Sequence, residues 1–334
     1  MSTSTSSHDF PLITVIVLTY NSAAYVLSTL ESIRQQDYQG ELELIVGDDC
    51  SSDDTVATCR SWLENNSGRF TRAEILKPEG NLGLVRNLNA CIKAARGEWI
   101  KSIAGDDIMA PYALRLFYET AAAAPGERLF LYSALKIFQH EEDLQEPNRL
   151  TLLPGGPGDQ DIDLSYIYRK PNFWTNAPSF FFAKALIEQI GYVPRLFRNV
   201  EDRPLYTKVL ASGFRIYHIS KPTVYYRVHD ASLTATMAGV RYAECNWKTY
   251  CEILRPCFSG IPRLDMDLRM LPQWYLMKQG GKNRKTRTFK LSCKIIWALY
   301  RAFTFPFSHT AGNTIQKATL ESRHTPSIPY APEH

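Results

Sequence analysis

The chain has 334 residues, 45% apolar and 22% charged, a globular balance that excludes a wholly disordered polypeptide. Its 18 glycines and 19 prolines are too few for a collagen-like or low-complexity protein, and no apolar run approaches the ~20 residues of a membrane-spanning helix. The net charge of +4 hides an asymmetry: residues 268–320 hold ten Lys and Arg and no Asp or Glu, which leaves 28 of the 38 basic residues against 34 acidic ones.

Residues 1–10 lack the basic and apolar regions of a secretory signal and read as a disordered tail. Residues 13–20, ITVIVLTY, form the β-branched apolar run of a strand buried on both faces. Asn21 and Ser22 then offer a helix cap, with Ala23, Val26, Leu27, Leu30 and Ile33 following at helical spacing. A second strand, LELIVG (42–47), leads into DDCSSDD and a helix with Val56, Cys59 and Leu63 on one side. A third strand is predicted near 73–77. The stripe Leu84, Leu88, Cys91, Ile92 and Ala95 marks the next helix, with Gly97 as its stop. EWIKSI (98–103) is a fourth strand, ending in AGDD, and Pro111 opens another helix.

Residues 139–163, polar and rich in Pro, Gly and Asp, read as a loop or mobile insertion. APSFFF (177–182) is a strand candidate, followed by a short helix that Gly191 stops. Residues 200–213 form a helix that Gly213 ends, and FRIYHI and TVYYRVH read as two further strands. From about 235 onward the pattern is helical and increasingly basic. Alternating strands and helices imply a parallel sheet, whose ligands gather at the carboxyl ends of the strands. Three polar clusters fall there: Thr19-Tyr20-Asn21, Asp48-Asp49 and Asp106-Asp107.

The seven cysteines, an odd number with no export signal, suggest reduced thiols in a cytoplasmic setting. Cys245, Cys251 and Cys257 lack the spacing of a zinc site and read as small buried hydrophobes. His218, in an apolar strand, reads as structural. Trp174 and Asn176 precede a strand in a region suited to an acceptor, although Trp174 equally suits the core. Paired carboxylates at strand ends suit Mg²⁺ or Mn²⁺ holding phosphates, though one acidic pair before a helix is also ordinary helix-dipole chemistry. Neither a Walker A motif nor a G-x-G-x-x-G fingerprint follows the first strand.

The opening resembles glycosyltransferase family 2, enzymes of the GT-A fold. The pieces that carry the resemblance are Thr19-Tyr20-Asn21, Gln35-Gln36-Asp37-Tyr38, the run Asp48-Asp49-Cys50-Ser51-Ser52-Asp53 and the run Asn81-Leu82-Gly83-Leu84-Val85-Arg86-Asn87. AGDD stands where the family has its metal-binding Asp-x-Asp, VEDRPL where it has Glu-Asp, and YYRVHDASLT matches a Tyr-Arg-x-His found in many members. The likeness runs from about 12 to 234. It implies a GT-A α/β fold, a mixed sheet flanked by helices, with a nucleotide-sugar half (11–110), an acceptor half (111–234) and a helical basic extension (235–334).

By resemblance, Thr19, Tyr20, Asn21, Asp48, Asp49, Asn81, Arg86 and Asp107 fall to nucleotide binding. Asp106 becomes the metal ligand, with His229 as a further ligand or diphosphate contact. Asp202 becomes the general base and Glu201 its positioning partner. The implied reaction is inverting, metal-dependent transfer of one sugar from a UDP- or dTDP-sugar to a glycan or lipid-linked glycan acceptor in bacterial surface polysaccharide synthesis. One departure stands out: Ala104 replaces the first acid of Asp-x-Asp, which weakens metal binding or ties it to bound nucleotide. It leaves a non-catalytic sugar-nucleotide-binding relative as the alternative. A nucleotidyltransferase would need a Gly-rich basic loop after the first strand, which TYNSAAY lacks. A processive polymerase would carry Gln-x-x-Arg-Trp and spanning helices.

In the basic tail, Arg287, Lys290, Lys294 and Arg301 fall within about 60° on a helical wheel, opposite Phe289, Ile296, Leu299, Tyr300 and Phe303. Such a helix over 287–303 can lie on an anionic membrane surface, at the inner face of the cytoplasmic membrane, or pack on the catalytic domain with its cations in water. No nucleic-acid recognition motif accompanies the charge.

Overall fold

The structure, a computed structural model, describes residues 10–170, 173–229 and 239–278. Two compact units interleave along the sequence. Among the described residues, the first takes in those up to Asp159, Asn176–Asn199 and His218–Val228; the second takes in those between Gln160 and Thr175, Val200–Tyr217 and those from His229 on.

The first unit is built on strands β1 (Ile13–Thr19), β2 (Leu42–Asp48), β3 (Arg72–Leu76), β4 (Trp99–Ala104), β5 (Ile108–Met109), β6 (Phe130–Phe138) and β7 (Thr151–Leu153). The three-residue strand β8 (Gln160–Ile162) belongs to the second unit, and β9 (Phe181–Ala183) and β10 (Ile216–Arg227) follow. The sheet runs β3-β2-β1-β4-β9-β6-β10-β5, with β7 on the side of β6. β3, β2, β1 and β4 are parallel, whereas β9 runs antiparallel to both β4 and β6. The sheet is therefore mixed.

β1 is buried along almost its whole length because helices cover both faces of a parallel sheet. Helices α1 (Val26–Arg34), α2 (Thr55–Asn66) and α3 (Leu84–Ala94) make the crossovers. α4 (Ala113–Ala122) sends Phe117 into the core, where it stacks on Phe181 at 5.1 Å, and Phe181 stacks on Trp99 at 5.0 Å. Each such pair is worth about 0.5–1.5 kcal/mol beyond its buried area. This ladder fixes the short antiparallel strand β9 against β4.

The register aligns the strand ends that carry function. Thr19 pairs with Asp48, and Leu18 with Ala104. The turn after β4 closes tightly on β1: Gly105 N donates to Leu18 O at 2.8 Å, and a Cβ on Gly105 would stand 2.7 Å from Thr19 Cγ2. A side chain at 105 would push the Asp106 turn off the sheet.

Several expectations change. α1 starts at Val26, and the Ser22 carbonyl, not a side-chain cap, accepts the N–H groups of Tyr25 and Val26. Gly97 does not stop α3, which ends at Ala94. It lets the chain pass Thr14, whose backbone N would be 2.5 Å from any Cβ there. The two late strands are one, β10, running straight through Pro222. Pro222 has no N–H to leave unpaired, its carbonyl accepts from Tyr112 Oη at 2.8 Å, and Ser220 N donates to Asp159 Oδ1 at 2.6 Å. The 139–163 stretch folds into two 3₁₀ turns (Glu141–Gln145 and Pro147–Arg149), β7 and β8. The APSFFF segment opens as a 3₁₀ turn (Ala177–Ser179) before β9.

In the second unit, α5 (Leu164–Arg169) is capped by Asp163, which accepts from Tyr166 N at 3.0 Å. In the first, α6 (Lys184–Gln189) ends at Gly191 with φ 78°. α7 (Asp202–Ala211), back in the second, ends at Gly213 with φ 85°. Of the three glycine stops the sequence predicts, these two end their helices. Helices α8 (Gly239–Thr249) and α9 (Gly260–Lys278) follow in the second unit. Cys245 is buried there, while Cys251 and Cys257 are only half-buried, because the chain around them winds into a π turn and a 3₁₀ turn. No helix among the described residues is long and apolar enough to cross a membrane. Segment 287–303 lies outside the described residues.

Candidate active site

At the carboxyl ends of β1 and β2, short polar side chains bind one loop to the next. Asp48 is fully buried and accepts from Thr19 Oγ1 at 2.9 Å, Ser51 N at 2.9 Å and Ser51 Oγ at 2.5 Å. Asn21 takes a left-handed φ of 52°. Its N–H donates to Ser51 Oγ at 2.8 Å and its Oδ1 accepts from Ser52 N at 2.9 Å. Asp53 accepts from Ala23 N at 3.1 Å. The Tyr20 ring, between these anchored neighbours, is 55% exposed. The loop pair thus leaves an aromatic face open to solvent.

Asp49 is 5% exposed, and its two oxygens accept from Leu82 N at 2.6 Å and Gly83 N at 2.8 Å, the residues that lead into α3. Asn81 Nδ2 donates to the Asp49 carbonyl at 3.0 Å, and the Asn81 carbonyl accepts from Arg198 Nη2 at 2.9 Å. Arg86 is exposed in the first turn of α3. The structure therefore gathers Thr19, Asn21, Asp48, Asp49 and Asn81 into one hydrogen-bonded frame, with Tyr20 and Arg86 projecting from it.

After β4 the two neighbouring acids diverge. Asp107 is buried, and its Oδ1 accepts from Arg227 N at 3.0 Å while its Oδ2 has no hydrogen-bond partner among the described residues. Burial, reinforced by the charge of Asp106, pushes the Asp107 carboxyl well above the usual range. Lys101 of β4, also fully buried, donates to Pro178 O at 2.6 Å and is pushed down to about 7 by the same desolvation, opposed by Asp107. Asp106 is half-buried. Among the described residues no group of three or more His, Cys, Asp or Glu is placed to hold a metal ion. A dedicated protein cage is thus absent from them. Mg²⁺ and Mn²⁺, however, are commonly held by one or two carboxylates with substrate phosphates completing the shell. Asp106 beside Ala104 fits that second arrangement.

The other predicted acids lie in the second unit. Glu201 precedes α7 and Asp202 is its first residue, both partly enclosed. Burial pushes Asp202 up to about 6, opposed by the Arg203 N–H that it accepts at 2.6 Å. Burial, then the Asp202 charge, push Glu201 up to about 8. Arg203, 1% exposed, donates to Phe173 O at 2.9 Å and lies 5.3 Å from the centroid of the Trp174 ring. His229, half-buried, is the last described residue before 239.

Two residues of other predicted interest are structural. His218 faces the carbonyls of Gly158 and Pro154, each at 2.8 Å, and Asn176 donates to Ser133 O at 2.9 Å. Sequence reasoning assigned no role to Arg227, although it is the Arg of Tyr-Arg-x-His, an ionised residue ending an apolar strand. It assigned none to Lys101 either, whose only signal is a lone cation inside EWIKSI.

A mixed sheet flanked by helices, with polar loops gathered at the aligned carboxyl ends of its parallel strands, is the GT-A architecture of nucleotide-sugar glycosyltransferases. Residues 14–176, just under half of the chain, match the family described as Glycosyl transferase family 2. The succinoglycan biosynthesis protein ExoO of Rhizobium meliloti is 29% identical over 231 residues, 64% of this chain and 62% of that protein. The structure of S. aureus TarS 1-349 in complex with UDP-GlcNAc superposes with TM-score 0.63 at 18% identity, covering 93% of this chain and 91% of that one. The mannosyltransferase PcManGT from Pyrobaculum calidifontis, in complex with GDP-Man and Mn²⁺, gives TM-score 0.54 at 19% identity over 94% and 88% of the two chains. At these identities the structural likeness establishes the fold. The chain spans between 24% and 34% of the length of the first curated relatives it matches.

Proposed function

We propose that the chain is an inverting, cation-dependent glycosyltransferase that moves one sugar from a UDP- or dTDP-sugar to a glycan or lipid-linked glycan acceptor in surface polysaccharide synthesis. The observation that carries this reading is the divergence of Asp106 and Asp107 at the end of β4. One acid is sealed into the fold, and the other is left half-open on a turn pinned against Thr19. The family and the name of the succinoglycan relative support the reaction class and the setting.

In this reaction the acceptor hydroxyl oxygen forms a bond to the anomeric carbon from the face opposite the leaving group. The bond from that carbon to the phosphate oxygen breaks, and the hydroxyl proton passes to a base. Asp202 is that base: it opens α7, and its carboxylate already accepts the Arg203 N–H. Glu201 stays protonated and orients it. Tyr20 stacks on the base of the nucleotide, held by the frame around Asn21 and Asp48, and Arg86 adds a cation on the same unit. Mg²⁺ or Mn²⁺, when bound through Asp106, supplies stabilisation of the charge that gathers on the departing diphosphate.

The test is a thermal-shift screen of UDP, dTDP and GDP, with and without Mn²⁺. A ligand that binds only the folded form at 100 times its Kd stabilises by about 2.7 kcal/mol. UDP or dTDP with Mn²⁺ is expected to raise Tm more than either component alone. No response to any nucleoside diphosphate in Mn²⁺ removes the reading. His229 is proposed as a further contact to the cation or the diphosphate.

The basic segment 287–303 is proposed to hold the enzyme at an anionic membrane surface, where a lipid-linked acceptor would reside. Sedimentation with anionic vesicles at low salt is expected, and loss of binding at high salt follows from screening. A chain that stays in the supernatant at low salt sinks this proposal.

A further inference from the structure

Arg227 is a buried cation of the first unit with several named partners. It is 4% exposed at the end of β10, so its charge is met inside the fold. Its backbone N–H donates to Asp107 Oδ1 at 3.0 Å and its Nε donates to the Asp106 carbonyl at 2.9 Å. Nη2 donates to Glu141 Oε1 at 2.8 Å and to Ser28 Oγ at 3.3 Å. The guanidinium carbon lies 4.8 Å from the centroid of Tyr25 and 4.6 Å from that of Phe138.

These contacts leave the guanidinium one orientation. Two aromatic rings hold it, which favours a cation and resists rotation. Its in-plane N–H groups reach the Asp106 carbonyl and the Glu141 carboxylate. A lysine cannot make both bonds, because its ammonium is a single point charge with no fork. Holding the Asp106 carbonyl fixes that residue's backbone, and so the direction its side chain takes. Glu141 is kept below the usual carboxylate range by Ser28 and Arg227 acting against desolvation, so it stays charged and keeps the lock closed. The lock matters more here than in a turn with two outward acids, because Ala104 offers no second carboxylate to correct a misplaced Asp106.

We propose that Arg227, locked in place by Glu141, is the positioning residue that sets the affinity of the Asp106 turn for a divalent cation bound with a nucleoside diphosphate. The inference rests on the reading of Asp106 as the cation-facing acid. Glu141 comes from the 3₁₀ turn Glu141–Gln145, so the proposal also gives the first turn of the 139–163 stretch a part in donor binding.

The experiment titrates Mn²⁺ into the full chain at fixed UDP and reads the UDP-dependent thermal shift. Wild type is compared with Glu141→Gln, Arg227→Lys and Asp106→Ala. Glu141→Gln is expected to raise the half-saturating Mn²⁺ roughly tenfold and Arg227→Lys roughly 10–100-fold, the range for losing partners that orient a metal ligand. The full shift is expected to return at saturating Mn²⁺. A purely structural role would instead lower the melting temperature without ligand and shrink the maximal shift together. The Glu141 side chain is 52% exposed, so Glu141→Gln keeps the test open if the Arg227 variant does not fold. If Asp106→Ala abolishes the Mn²⁺ response while Glu141→Gln leaves the half-saturation point unmoved, this inference is overturned and the reading of the site stands. If Asp106→Ala responds to Mn²⁺ as wild type does, the reading of the site falls and the inference with it.

Discussion

Asp202→Asn is expected to lower kcat by roughly 10²–10⁴-fold, the contribution of a positioned general base, with little change in KM for the donor. Asp202 and Glu201 are neighbouring acids in different surroundings. Asp202 is raised to about 6 and Glu201 to about 8. Burial is the main cause for both; Arg203 restrains the first and the charge of the first lifts the second. As the proposed base, Asp202 must be ionised to act. The wild-type kcat/KM should therefore rise with pH through about 6 rather than through the usual carboxylate range, and Glu201→Gln should keep that limb. Stability moves the other way. Both folded-state values lie above the ordinary 3.8 and 4.5, so the folded chain retains protons that the unfolded chain has released. The stability these groups lend is complete below those ordinary values and is lost as pH rises through about 6 and about 8. Asp202→Asn removes the ionisation, so its Tm at pH 8 should equal or exceed that of wild type while its activity is lost. A limb near pH 6 that survives in Asp202→Asn would assign the base elsewhere.

Much of the sheet was legible because its strands are extreme. ITVIVLT and LELIVG are too apolar to be anything but buried, and their spacing by amphipathic helices dictates parallel neighbours. What the sequence could not show was β9 entering antiparallel between β4 and β6. That strand is three residues long, and its place is set by the Trp99–Phe181–Phe117 stack, a contact among residues far apart in the chain. Gly97 shows a different failure. A glycine after a helical stripe reads as a stop, yet here the demand came from Thr14 across the sheet.

The site was legible as a set of residue types, since polar groups at strand ends are visible in sequence. Their division of labour was not. Asp48 and Asp49 sit side by side and look alike, yet one clamps the loops after β1 and β2 and the other receives the N–H groups leading into α3. Asp106 and Asp107 look alike too, and only burial separates them. Arg227 was hidden because its partners are a backbone carbonyl, two rings and a carboxylate from a stretch that reads as loop. None of these leaves a local pattern.

Asp106→Ala is expected to cost roughly 10²–10³-fold in kcat, about 3–4 kcal/mol of transition-state stabilisation, and to abolish stimulation by Mn²⁺. The size follows from the departure at 104. Where a turn offers two outward acids, losing one leaves the other to hold the cation. Here Ala104 ends β4 without a carboxylate and Asp107 is sealed against Arg227 N, so Asp106 has no substitute on its turn. The same reasoning makes the converse variant informative. Ala104→Asp should let Mn²⁺ bind before the nucleotide, seen as a Tm rise with Mn²⁺ alone that wild type lacks, because two carboxylates no longer depend on a diphosphate to complete the shell. If Asp106→Ala retains full Mn²⁺-stimulated activity, the single-acid account of this turn is wrong. If wild type already binds Mn²⁺ tightly without nucleotide, other ligands must complete the shell, and Ala104 would no longer be the reason that cation and nucleotide bind together.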